Sequence, residues 1–434
     1  MGWEGEYHAK VMTASEAIER FVPSGSKLYT SGLHVATVLV NELIARVRDG
    51  RLSGIDMWGN WMNGRFPFSE LDVPAEVFRY HTYFAGPNER GGFGHCVAHI
   101  PVHFSDVLGL AKAVKPDVAI ISVTPPNEEG LCNIGPLGFT ADFVPQCATV
   151  IAQVNKNLPF VSGDCHTLPV SRISAFVEHD EALEDLALKQ PSAEERKAAE
   201  FVVERVNDGD TVQLGIGGIS DAIGEGLFCK KHLGAYTEMY SDVFARLQEA
   251  GVIDNSRKNY RPGVSIGGYA TGAKHLYDFL DHNPDVVFAS YNEVCNPARI
   301  ALNDNLISIN TAISIDLTGQ VCAESIGPRQ YSASGGQMNY VQGAKYSNGG
   351  ESYICVTSVA HTKKGDVSKI VPMLAQGSAI TTPRNEVGCI VTEYGVAELR
   401  YCDIPERCKR LIAIAHPDFR DELEFEARKL GLLY

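Results

Sequence analysis

Short apolar runs closed by polar or glycine-bearing turns punctuate this chain. DVAIISV (117–123), ATVIAQV (148–154), DVVFAS (285–290) and YICVTSV (353–359) are rich in β-branched residues. Such uninterrupted runs fit strands covered on both faces, as in parallel sheets. LISINTAISIDL (306–317) instead alternates polar and β-branched positions, the period of a strand with two unlike faces. Helical patterns separate these runs, so the spacing predicts an α/β protein with largely parallel sheets. Near the end, VAELRYCDIPERCKRLIAIAHPDFRDELEFEARKL (396–430) reads as terminal helices, with Pro405 and Pro417 close to their starts.

The pattern also repeats once. VPSGSKLYTSGLHVATVLVNEL (22–43) lies over VNDGDTVQLGIGGISDAIGEGL (206–227), with Gly25 on Gly209, Leu28 on Val212, Ser31 on Gly215 and Leu43 on Leu227. Each copy reads as turn, short strand, glycine-bearing loop and helix, which predicts two pseudo-duplicated α/β halves. Between them runs the charged stretch DEALEDLALKQPSAEERKAAEFVVERV, and Pro191-Ser192 with Glu194 and Glu195 signals a helix start. The boundary is therefore placed near Gln190, giving halves 1–190 and 191–434.

At 434 residues, the chain can bury two cores, and its 44% hydrophobic and 21% charged content is ordinary for a globular protein. A formal net charge of −15 argues against a nucleic-acid or acidic-membrane surface. No apolar run approaches the roughly 20 residues of a membrane helix. The opening MGWEGEYHAK lacks signal-peptide regions, and Glu6 breaks the myristoylation pattern. Its 11 cysteines are odd in number and contain no Cys-x-x-Cys pair, as expected of reduced thiols in the cytoplasm.

GIGGIS (215–220) follows one strand and opens a helix, but Ser220 replaces the third glycine of a dinucleotide fingerprint. A tight strand–helix turn is the plainer reading. His95, His99 and His103 recur at a helical spacing, yet Gly91, Gly92, Gly94 and Pro101 break a helix there. No metal site is expected.

One segment carries more. SYNEVCNPARIALNDNLISINTAISIDLTGQVCAESIG (290–327) sets Glu293 just ahead of Asn296 and Pro297, on a turn leading into a strand. With GGQMNYVQGA (335–344), SKIVPML (368–374), VTEYGVAELR (391–400) and IAHPDFRDEL (414–423), it closely resembles the acetyl-CoA hydrolase/transferase family of class I CoA-transferases. VTPPNEEGLCNIG (123–135) and AFVEHDEAL (175–183) extend the likeness into the N-terminal half.

The resemblance implies a CoA-transferase fold of the NagB/RpiA-like kind, two α/β domains with the active site between the halves. It implies that Glu293 is a covalent nucleophile and that Gly335 and Gly336 bring backbone amides to the reacting carbonyl, where a Cβ would block the approach. Tyr269, Ala270, Thr271, Gly272 and Ala273 (YATGA) would line the CoA cleft, and Lys369 and Asn385 would contact CoA. The family carries Asp where this chain has Asn339. Related chains carry apolar residues at Cys295, which is read as a structural thiol.

The implied reaction moves CoA from acetyl-CoA or succinyl-CoA to acetate, butyrate, 4-hydroxybutyrate or a dicarboxylate such as itaconate, through a glutamyl-CoA thioester. Arg65, Arg90 and His95 would suit a second carboxylate. Coenzyme A is substrate here, no permanent cofactor is called for, and a homo-oligomer is expected by analogy. A thioester hydrolase using the same glutamate is the alternative: same fold, with water admitted.

Overall fold

In a computed structural model, residues 2–64, 66, 68–183 and 190–434 are described. The chain forms two compact units, Met1–Ala187 with Ile266–Val294, and Leu188–Ser265 with Cys295–Tyr434. The stretch 266–294, placed with the C-terminal half on sequence, thus belongs with the N-terminal unit.

The first unit is built on a parallel sheet in the order Ala175–Glu178, Thr149–Val154, Val118–Val123, Lys27–Thr30, Ile55–Gly59, Phe78–Thr82, Val97–His99. The strand Val118–Val123 is buried at all six positions, as its unbroken apolar run requires. The helix Thr37–Arg48 covers this sheet with Leu39, Val40, Leu43, Ile44 and Val47, an i, i+4 stripe. Each fully buried aliphatic side chain there contributes about 1.5–3 kcal/mol.

The second unit repeats the order. Gly395–Glu398, Cys389–Thr392, Glu351–Cys355, Leu306–Thr311, Thr211–Leu214 and Gly234–Tyr240 lie side by side, antiparallel only at the Gly395–Glu398 edge. In both units the first strand in sequence has later strands on either side, and the connections leave it in opposite directions. In such sheets the carboxyl ends of the strands beside that reversal are the usual place for a ligand. The internal overlay read from sequence therefore reflects a shared topology: Leu28 pairs with Met57 and Val118, and Val212 with Ala235 and Ile307.

Most predicted elements form where expected. LISINTAISIDL splits into Leu306–Thr311 and Ser314–Asp316, and YICVTSV ends its strand at Cys355. The helix after Pro191 spans Ala193–Val203, with Ser192 and Glu195 in a reciprocal capping box. Residues 184–189, part of the charged stretch before it, lie outside the described residues. One expectation fails: Gly395–Glu398 is a strand, not the start of a terminal helix. Buried Ala397 and Leu399 flank exposed Glu398, a period of two that suits an edge hairpin. Among the described residues no helix is long and apolar enough to cross a membrane.

Candidate active site

The strand Gly234–Tyr240 is buried except at Glu238, which is half-buried. An acid within such a run is expensive unless its oxygens find donors. One donor is the backbone N–H of Gly336. That glycine precedes the helix Gln337–Tyr346, so its N–H belongs to the electropositive helix start. Gly335, before it, has φ +55° and turns the chain into the helix. A Cβ on Gly336 would stand 2.0 Å from Glu238 Oε2 and 3.3 Å from Cys295 Sγ. Only glycine permits the approach. The Cys295 thiol points at the same oxygen from 4.0 Å. Burial pushes the Glu238 carboxyl up to about 8, against the opposing pull of the Gly336 amide.

The same sheet carries a buried polar seam. Ser308 donates to Gln213 Oε1 at 2.8 Å, and Asn310 Nδ2 to Ser308 Oγ at 3.1 Å. It ties the paired strands Thr211–Leu214 and Leu306–Thr311 to each other. The first unit differs at the matching place. Three residues past Met57 stands Asn60, and three past Ala235 stands Glu238. Of two equivalent positions, only the second unit carries an acid.

GIGGIS joins the strand Thr211–Leu214 to the helix Gly218–Gly226, as predicted, with Gly217 at φ +116°. A Cβ on Gly218 would fall 2.4 Å from the Glu195 carboxylate oxygens. A dinucleotide phosphate seated at that helix start would therefore meet a carboxylate, which agrees with the plainer reading of the motif.

The remaining sequence candidates are distributed as follows. Glu293 is half-buried on a single helical turn, Tyr291–Val294, in the first unit; Gly335 and Gly336 belong to the second. Tyr269 and Ala270 end the strand Ser265–Ala270, and His34 Nε2 lies 3.3 Å from the Ala270 carbonyl oxygen. Thr271 and Gly272 are buried and Ala273 half-buried; the Gly272 N–H donates to Tyr277 Oη at 3.3 Å. Lys369, half-buried in the second unit, donates to Thr357 Oγ1 at 2.7 Å, and burial lowers its pKa while Glu393 and Glu195 oppose that. Asn385 is exposed on a turn. His95 is exposed, Arg90 half-buried, and Arg65 lies outside the described residues. No cluster of three or more metal-ligating side chains occurs among the described residues.

Sequence reasoning passed over Glu238. Its signal was present: a single carboxylate inside the otherwise strand-like run LGAYTEMY, where an unpaired charge needs an explanation.

The chain is similar to known enzymes throughout. Residues 1–186 match the acetyl-CoA hydrolase/transferase N-terminal domain and residues 272–427 the C-terminal domain of the same family. A 4-hydroxybutyrate coenzyme A transferase of Clostridium kluyveri is 37% identical over 99% of this chain and 100% of its own length. A butyryl-CoA:acetate CoA-transferase of Anaerostipes caccae is 35% identical over 99% and 98%. The crystal structure of RipA from Yersinia pestis superposes with a TM-score of 0.93 at 30% identity, covering all of both chains. Sequence likeness over the full length and the same doubly-wound architecture agree, and the chain belongs to the acetyl-CoA hydrolase/transferase family of enzymes.

Proposed function

We propose that this enzyme transfers CoA from an acyl-CoA to a short-chain carboxylate through a glutamyl-CoA thioester on Glu238. The observation that carries the assignment is the Gly336 amide bonded to the Glu238 carboxylate. Glu293, implied by resemblance, is the second reading; what favours Glu238 is that the glycine whose Cβ would obstruct the site is shaped around Glu238 itself.

The steps balance without a redox partner. The ionised carboxylate attacks the thioester carbonyl, and CoA leaves as the thiolate, giving a glutamyl–acyl mixed anhydride. The thiolate attacks the glutamyl carbonyl, the first acid departs, and a glutamyl-CoA thioester remains. An acceptor carboxylate then attacks that thioester, and the released thiolate takes the new acyl group, restoring Glu238. At each tetrahedral stage negative charge develops on an oxygen that the helix-start amides stabilise, a contribution of about 3–4 kcal/mol per well-placed donor. Lys369 would add a point charge for a CoA phosphate.

The relatives' activities support a short-chain acid as acceptor. The proposal includes a cytoplasmic homo-oligomer, on the cysteine pattern and on family analogy. Hydrolysis by the same glutamate differs only in admitting water.

The test is incubation with acetyl-CoA or succinyl-CoA without acceptor, borohydride reduction, and peptide mass mapping. A reduced glutamate at 238 supports the proposal, and one at 293 moves the nucleophile there. Steady thiol release without a trapped adduct favours the hydrolase.

A further inference from the structure

The one-turn helix Tyr291–Val294 cannot satisfy its own start. Glu293 N–H and Val294 N–H donate to the Ser290 carbonyl at 3.0 and 2.9 Å, leaving the amides of Tyr291 and Asn292 to find acceptors elsewhere. A serine just before a helix ordinarily caps it with its own oxygen. Here Asp142, from the helix Gly138–Phe143, takes that place. Its carboxylate accepts the Tyr291 N–H at 2.9 Å, the Asn292 N–H, and the Ser290 hydroxyl.

This cap is built in, not incidental. Asp142 is 4% exposed. A Cβ on Gly138 would stand 2.2 Å from the Ala289 carbonyl oxygen, so glycine is required for its helix to come so near. The Tyr291 ring stacks on Phe104 at 4.7 Å and meets Phe139 edge-on at 5.4 Å. Tyr291 is therefore pinned at both backbone and ring, while Asn292 is exposed and Glu293 half-buried. Val294 is the last residue of the first unit, and the next, Cys295, is the thiol beside Glu238.

We propose that Asp142 is a positioning residue of the transfer reaction. It caps the 290–294 turn from the helix Gly138–Phe143 and thereby fixes where the chain enters Cys295, the thiol beside Glu238. The inference rests on the CoA-transferase reading. A cap that served stability alone would leave turnover unchanged in protein that remains folded.

The experiment compares D142A, D142N and S290A with wild type, measuring kcat, KM for acetyl-CoA, the yield of trapped glutamyl-CoA, and thermal melting. Displacing reacting groups by an ångström costs about 100-fold. D142A should lose roughly that much kcat with KM changed less than about threefold. D142N keeps one acceptor oxygen and should recover part of the rate, and S290A should lose about two- to fivefold. If D142A does not fold, D142N and S290A carry the test. Wild-type kcat in both, or losses no larger than the loss of folded protein, would overturn the proposal. No trapped adduct on any glutamate of the wild-type enzyme would instead sink the reading beneath it.

Discussion

Replacing Glu238 with glutamine should abolish transfer and stabilise the protein in alkaline solution. The carboxyl is displaced from its ordinary value of 4.5 to about 8, chiefly by burial. Between those pH values, the folded chain holds a proton that the unfolded chain has released. Wild-type stability therefore falls as pH rises through that window and levels off above about 8. Each pH unit is worth about 1.4 kcal/mol, which bounds the cost near 5 kcal/mol. Partial exposure and relaxation of the half-buried side chain reduce it to about 2–3 kcal/mol. Glutamine has no proton to lose, so E238Q should match wild type near pH 5 and exceed it by that margin at pH 9. Urea unfolding at the two pH values measures the difference, with transitions of both units followed separately. Transfer from acetyl-CoA should fall by at least about 10⁴-fold in the same variant. In wild type, kcat/KM should climb with pH toward a plateau above about 8, because only the ionised carboxylate attacks. An E238Q enzyme that still transfers CoA would refute the reasoning. So would a stability difference independent of pH.

Three further outcomes are expected. G336A places a methyl group 2.0 Å from Glu238 Oε2 and should lower kcat about 100-fold or more in protein that still melts cooperatively, as followed by steady-state kinetics and calorimetry. E293Q should still yield a borohydride-trapped adduct at Glu238; an adduct that disappears with E293Q and survives E238Q would make Glu293 the nucleophile. K369A removes a positive charge held at Thr357 and should raise KM for acetyl-CoA about tenfold with little change in kcat, and an unchanged KM in a salt series would exclude a phosphate contact.

Much of the fold was legible because its signals are local. The unbroken run 118–123 had to be a doubly covered strand, and Ser192 with Glu195 had to start a helix. The overlay of Leu28 on Val212 announced a duplicated unit, and the strand order repeats in both. The edge strand Gly395–Glu398 was misread because VAEL fits both a helix and a two-residue alternation, and only its pairing with Cys389–Thr392 decides between them. The stretch 266–294 was assigned to the C-terminal half by sequence order, whereas contacts place it in the first unit.

The sequence by itself determined the family, the class of chemistry and the glycine pair, since these reside in contiguous motifs whose side-chain types are the message. Which carboxylate meets that pair was a tertiary decision. Glu238 and Cys295 are 57 positions apart, and Asp142 reaches Tyr291 across 149. No periodicity links residues so distant along the chain. Only the folded backbone brings an acid and an amide within bonding distance, and burial, which shifts the acid's proton affinity, exists only once the chain has closed around it.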